Sequence, residues 1–461
     1  MKIEENNELG KLREQIKIIT EDIFLLVSKR NSISKQIGVY KSEKDLPIVD
    51  VKTEQSLFSS VKEICKRENI SEDLGMKILG LLINESISVQ KNDPISSNSH
   101  TAIIAEARRI EKQGKPVIHL EIGEPDYGPP DSVINDTFSA MRDGRTNYVE
   151  PAGILPLRKR TAEYIESRFN KKVDSDNVLI TTGGRFAVYA ALATCIKPGD
   201  SVLVFQPAWP AYANLAESLG ARIITYNANF DDRWIPDINE VVSLFDDTVK
   251  MVILNTPNNP TGSILSRDFM EALSEESSKR GIYILSDEVY SEMSFKPFTS
   301  IFETENSRSI LISSLSKSHG MTGFRVGYAV ADKSIIKKMV SVQNALVTSV
   351  PEFIQYGSIV AFDSPLMYLN YVSDKMKLAS NALKELSLDF HEPEGGLYFF
   401  PKVSSDSFDS EDFSYKLLKE AGVALAPGSS FGPYEKYFRL CFSIEDEKLL
   451  TAIQKIGEYL P

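Results

Sequence analysis

Sulfur and imidazole are scarce in this sequence. Three cysteines, Cys65, Cys195 and Cys441, lie far apart in 461 residues, so neither a disulfide framework nor a cysteine-rich metal site is indicated. Four histidines are equally scattered, and the expected metal content is none. No apolar run reaches the length of a membrane span. Residues 1–6 (MKIEEN) lack the apolar core of a signal peptide, which makes a reducing cytoplasm the expected compartment. Positive charge is in deficit: the formal net charge of −12 leaves no footprint for nucleic acid and works against anionic membrane surfaces. Internal repeats and low-complexity tracts are absent too. What remains is ordinary for a soluble globular protein, 42% hydrophobic and 25% charged, with length for two or three domains.

Two pieces are visible. In residues 8–90, Leu9, Leu12, Ile16, Ile19, Ile23, Leu26, Ile33 and Ile37 recur at alternating spacings of three and four, which predicts one long helix with a buried stripe. Arg30 interrupts that stripe between Leu26 and Ile33. A second helix is expected after Asp50, carrying Leu57, Val61 and Ile64, and a third after Ser71, carrying Leu74, Ile78 and Leu82. Residues 93–100, polar and opened by Asp93-Pro94, read as a linker. From about residue 101 short apolar runs (178–180, 201–205, 251–254, 282–285, 310–312) alternate with helical stretches. Such alternation predicts a mostly parallel sheet covered by helices.

Chemistry-bearing residues follow those runs, where ligands of parallel sheets gather. Lys317 stands in a small-residue turn after 310–312, and Arg325 follows in a Gly-rich stretch. A lysine so presented can form a Schiff base, and a nearby arginine can fork onto a phosphate, which together point to pyridoxal phosphate. Gly183-Gly184-Arg185 opens a helix after 178–180, and bare amides there suit phosphate. Trp209 offers a flat ring, Asn259 a hydrogen bond to a phenolate, and Asp287 a partner for a protonated pyridine nitrogen.

With Gly123-Glu124-Pro125-Asp126-Tyr127, Tyr148 to Gly153 and Phe438-Arg439-Leu440, these segments resemble the aspartate aminotransferase family, class I, of the fold type I pyridoxal phosphate enzymes. The resemblance covers about 100–461. It implies a large cofactor-binding subdomain, about 145–345, and a smaller α/β subdomain of about 101–144 plus 346–461. It also implies that Lys317 forms the cofactor imine and shuttles the proton. Asp287 holds the pyridine nitrogen. Asn259 and Tyr290 reach the ring hydroxyl, and Trp209 stacks. Gly184, Arg185, Ser314 and Arg325 surround the phosphate, while Arg439, beside Gly123, holds the substrate α-carboxylate. The residue matching Tyr148 reaches the partner subunit's cofactor, which implies a homodimer.

Residues 1–92 resemble the all-helical chorismate mutases at Arg13, Arg30, Lys41, Asp50, Glu54, Ser86 and Gln90. That family is a three-helix, intertwined dimer. The resemblance implies that Arg30 and the Arg13 of a partner chain hold carboxylates, that Lys41 and Gln90 face the breaking ether oxygen, that Glu54 accepts the substrate hydroxyl, and that Ser86 lines the site. Asp50 has two open readings, a substrate contact or an N-cap. One departure stands out: Thr53-Glu54 replaces the family's usual Arg-Glu. The expected function is therefore bifunctional, chorismate to prephenate plus transamination with aspartate or glutamate and aromatic keto acids. A helical unit that senses chorismate or prephenate without turnover, or that serves only to clamp a dimer, stays open beside it, and so does a lyase or decarboxylase in place of the transaminase. His100 is expected to be a linker residue rather than a substrate contact.

Overall fold

The structure is a computed structural model that describes residues 2–44, 51–90, 99–363 and 366–461. It divides into two compact units, Met1–Ser96 and Ser97–Pro461. No helix among the described residues is long and apolar enough to cross a membrane.

The first unit consists of three helices, Lys2–Glu43, Val51–Arg67 and Glu72–Gln90. At 42 residues the first is about 63 Å long, more than twice the third. Cys65, Met76, Leu79 and Ile83 form a small buried core. The stripe expected to be buried is not: Ile16, Ile23 and Leu26 are 65%, 55% and 66% exposed in the single chain. The face turned toward the third helix is offset by about one residue and is largely polar, comprising Val27, Arg30, Asn31, Ser34, Gly38 and Lys41. Gly38 is required there, since a Cβ would lie 2.6 Å from the Gln90 carbonyl oxygen. The first helix thus turns its hydrogen-bonding side inward and its apolar side outward.

The second unit is built on a seven-stranded sheet. In spatial order its strands are Val178–Thr181, Gly327–Val330, Ser309–Ser314, Tyr283–Asp287, Val249–Asn255, Ser201–Gln206 and Arg222–Asn227. Only Gly327–Val330 runs antiparallel to its neighbours. The central strands are apolar on both faces because helices cover both, as parallel sheets require. One face packs against Gly184–Cys195 and Lys333–Leu346, with Val188, Leu192, Ile335 and Met339 buried. The other packs against Arg267–Arg280, capped by Ser266 and closed by a left-handed Gly281.

Two small sheets lie outside it: Ile118–His119 pairs in parallel with Val423–Ala424, and Ala426–Pro427, Phe438–Cys441 and Tyr398–Phe399 form an antiparallel trio. They share a second core with Leu369–Lys384 and Asp446–Tyr459. The expected subdomain border cuts through the large-sheet core, because Val133, Val350, Ala361 and Phe362 belong to it. The helix Ser99–Lys112 takes in His100, which corrects its assignment to the linker; residues 91–98 lie outside the described part.

Gly327 marks the point where sheet and site meet. A Cβ there would stand 2.7 Å from both Gly183 C and Gly184 N, backbone atoms that cannot swing away. Gly327→Ala is expected to destabilise this unit by about 1–3 kcal/mol, read from a denaturant unfolding curve.

Candidate active site

Five strands of the large sheet end at one cavity of about 380 Å³. It is lined by Gly123, Gly184, Arg185, Trp209, Asn259, Asp287, Tyr290, Ser314, Lys317, Arg325 and Arg439, the residues that the sequence pointed to from widely separated segments. Tyr148 is not among them; its side chain is 93% exposed.

Each group is held by its neighbours. Asp287 ends the strand Tyr283–Asp287 and is buried. Its Oδ2 accepts from the Tyr212 hydroxyl at 2.8 Å and its Oδ1 from the Val289 amide at 3.2 Å. Burial pushes the carboxyl up to about 6, against the opposing pull of Tyr212, Val289 and Lys317. Lys317 lies in the single turn Leu315–Ser318, and its Nζ donates to the Gly123 carbonyl. Burial lowers the amine to about 8, with the charges of Arg439 and Arg325 acting in the same direction.

At the other end of the cavity is a cationic cradle. The helix Gly184–Cys195 points its N-terminus inward, and Arg325 lies so close to Gly183 (φ 79°) that a Cβ would meet its guanidinium at 2.6 Å. Arg185 rests on the Trp209 ring at 4.8 Å, held below its ordinary value by burial and by the charge of Arg325. Two arginines facing one helix N-terminus, with Ser314 beside them, form the donor set of a dianion.

Arg439 is buried between the Tyr398 and Phe431 rings, at 4.4 and 5.1 Å. It donates through Nη1 to Asn259 Oδ1 at 2.9 Å and through Nη2 to the Glu121 carbonyl, while Nε is buried without a partner. Because Arg439 occupies Asn259 Oδ1, the Asn259 amide is oriented with its donor end away from the arginine. A phosphate cradle, a stacking ring, a carboxylate, an amine of lowered pKa and an arginine with an unused donor together fit pyridoxal phosphate and an amino-acid carboxylate.

Several of these supports carry no sequence signal. Tyr212, three residues beyond Trp209, looks like a helix residue until the fold brings it onto Asp287. Tyr398 reaches Tyr290 with a 2.7 Å hydroxyl contact across 108 residues. His100 is brought to the cavity wall by its Nε2, 2.8 Å from the same Glu121 carbonyl that Arg439 uses. Burial, reinforced by the Arg439 charge, pushes it down to about 4, so it is neutral at physiological pH.

In the first unit Arg30 donates through Nη1 to the Leu82 carbonyl and to Ser86 Oγ. Ser86 in turn lies 2.8 Å from Ser34 Oγ, and the Gln90 amide oxygen is buried without a partner. Burial lowers the Arg30 guanidinium. Arg30, Ser86 and Gln90 therefore share one seam, with Lys41 three residues past Gly38 on the same helix. Arg13 is exposed, and seventeen residues separate it from Arg30, about 25 Å along the helix. The Glu54 side chain and Asp50 lie outside the described part.

A lysine in a strand-end turn of a mostly parallel sheet, opposite an aspartate and a phosphate cradle, defines a fold type I pyridoxal phosphate enzyme. The sequence agrees: residues 115–456 match the family "aminotransferase class I and II", and residues 12–91 match "chorismate mutase type II". The chain is 33% identical over 367 residues to a (5-formylfuran-3-yl)methyl phosphate transaminase of Methanocaldococcus jannaschii, covering 78% of this chain and 95% of that protein. It is also 33% identical over 360 residues to an aspartate aminotransferase of Thermotoga maritima, covering 77% and 94%. The crystal structure of a Thermotoga maritima aspartate aminotransferase superposes with a TM-score of 0.76 at 33% identity, over 80% of this chain and 97% of that one. A Thermus thermophilus aspartate aminotransferase with maleate gives 0.75 at 27% identity, over 78% and 96%. The chain belongs to the class I and II aminotransferases and carries a chorismate mutase type II domain ahead of that enzyme.

Only the neutral amine attacks an aldehyde, so the lowered Lys317 value has a direct readout. The rate at which cofactor-free protein takes up pyridoxal phosphate is expected to rise with pH and reach half its maximum near pH 8, followed by visible absorbance.

Proposed function

We propose that this chain is a bifunctional enzyme: residues 1–92 convert chorismate to prephenate, and residues 101–461 transfer an amino group, with pyridoxal phosphate, from aspartate or glutamate to an aromatic or related keto acid. 4-Hydroxyphenylpyruvate, phenylpyruvate and prephenate are the acceptors that such a fusion favours. The observation that carries the transaminase reading is the convergence of Lys317, Asp287, Arg325 and Arg439 on one cavity.

Pyridoxal phosphate, when bound, supplies an electron sink for charge developing at the substrate Cα. Arg185, Ser314, Arg325 and the amides at Gly184 hold its phosphate; Asp287 holds a proton on its ring nitrogen; Asn259 and Tyr290 donate toward its ring oxygen. Tyr212 keeps the Asp287 carboxylate oriented for that task. Arg439 binds the substrate carboxylate through its unused Nε–H and an Nη. Lys317 Nζ, half of it amine near pH 8, would take the proton from Cα and release it within the same half-reaction, and would return a proton to Cα of the keto acid in the second. The dicarboxylate held by the Thermus thermophilus relative supports a four- or five-carbon dicarboxylic donor.

The mutase reaction is pericyclic and requires positioning and charge rather than a nucleophile. Arg30, fixed by Ser86, anchors one carboxylate, with Lys41 and Gln90 at the ether oxygen. The outward apolar stripe and the distance of Arg13 support pairing of two chains, each lending Arg13 to the other. Thr53 in place of an arginine favours a second reading, in which this unit binds chorismate without turnover.

The two activities separate by substitution in the full chain. Lys317→Ala is expected to abolish keto-acid production from glutamate or aspartate and leave chorismate consumption intact. Arg30→Ala is expected to lower chorismate consumption by about 100-fold or more and leave transamination intact. Chorismate binding by the parent chain with no prephenate formed would establish the second reading.

A further inference from the structure

We propose that Tyr127 is a positioning residue for Lys317, gripping the turn that carries the amine from outside the cavity. The proposal rests on the reading of Lys317 as the proton-moving amine. The turn Leu315–Ser318 is four residues long, too short to hold its own geometry. Within the turn the Lys317 carbonyl has only weak backbone partners, the Gly320 amide at 3.5 Å and the His319 amide, which it shares with the Leu315 carbonyl. The Tyr127 hydroxyl donates to the Lys317 carbonyl at 2.8 Å. Burial, helped by the Asp126 charge, raises the phenol above its ordinary value, so it stays a donor throughout the working pH range.

A second contact is independent of the first. Gly320 (φ 61°) packs so tightly on the same segment that a Cβ would lie 2.4 Å from the Tyr127 carbonyl oxygen. The segment also provides the Gly123 carbonyl that receives Lys317 Nζ. Residues 123–128 therefore hold the lysine at its backbone, at its amine and at the end of its turn.

That segment is itself immobilised. The Tyr127 ring stacks on Tyr368 at 3.9 Å and 19°, and the Tyr368 hydroxyl donates to the Gly128 carbonyl at 2.8 Å. Asp126 takes an ion pair from Lys375 at 2.9 Å and hydrogen bonds from Tyr371 at 2.7 Å and Ser443 at 2.9 Å. The segment that positions the amine is thus fastened by Tyr368, which stacks on Tyr127 just ahead of the helix Leu369–Lys384, and by Tyr371 and Lys375 of that helix through Asp126.

Tyr127→Phe in the full chain keeps the stacked ring and removes only the hydroxyl. We expect kcat for transamination to fall about tenfold, because a proton carrier displaced by a fraction of an ångström loses alignment, with the amino-donor KM unchanged since Arg439 is untouched. In cofactor-free protein, carbamylation of Lys317 by cyanate, read by peptide mass spectrometry, should speed up severalfold while the melting temperature holds. Tyr368→Leu, which removes the stack behind Tyr127, should move both readouts in the same direction. Wild-type kcat together with wild-type cyanate reactivity in Tyr127→Phe would overturn the proposal. So would a loss of kcat matched by a fall in melting temperature, since that is what a merely structural role gives. A parent chain that never takes up pyridoxal phosphate would sink the function on which the proposal rests, and is recognised separately by the absence of a visible band before any substitution is made.

Discussion

Placing charge where water cannot reach it is the constraint on which the larger unit depends. Asp287 and Lys317 share one cavity, and burial drives each toward its uncharged form, the acid up to about 6 and the amine down to about 8. Neither shift would survive in open solvent. Both exist because the strands Tyr283–Asp287 and Ser309–Ser314 end side by side beneath covering helices, and because Tyr212 supplies one oriented donor rather than a shell of water. The arginines at the other end stand on the exposed side of the same cavity, where their mutual repulsion prepares them for a dianion.

The sheet makes this possible by being parallel. Strand ends that belong to residues 181, 206, 255, 287 and 314 are brought to one edge, each followed by a turn that need not bury its own backbone. The antiparallel strand Gly327–Val330 is the exception with a purpose: it returns from Arg325 and lays Gly327 directly against Gly183–Gly184, so the two sides of the phosphate cradle touch through backbone alone.

The alternation of short apolar runs with helices sufficed to anticipate the sheet, and residues placed just past those runs sufficed to anticipate the cavity. Lys317, Asp287 and Asn259 were readable because each sits in a local pattern with its own chemistry, and Arg439 through the family resemblance of Phe438-Arg439-Leu440. Tyr212, Tyr398 and Tyr127 were not, because their importance lies in a partner 75, 108 or 190 residues away. His100 was misread for the same reason: a lone imidazole beside a polar stretch looks like linker until the Glu121 carbonyl is folded beneath it. In the helical unit the period was right, and the side it marks is left bare in the single chain. A repeat of three and four marks an apolar side without saying what covers it, and here the chain's own third helix covers the neighbouring polar side instead.

That inverted packing has a consequence for how the first helix exists at all. On the pairing proposed above, a rod of 42 residues whose oily flank is bare in the single chain would draw its burial from a second copy, and its order would be tied to how many copies share the solution. The central strands of the large sheet, by contrast, are sealed by helices of their own unit. Dilution would then be felt first along the helical rod, ahead of the sealed core of the sheet.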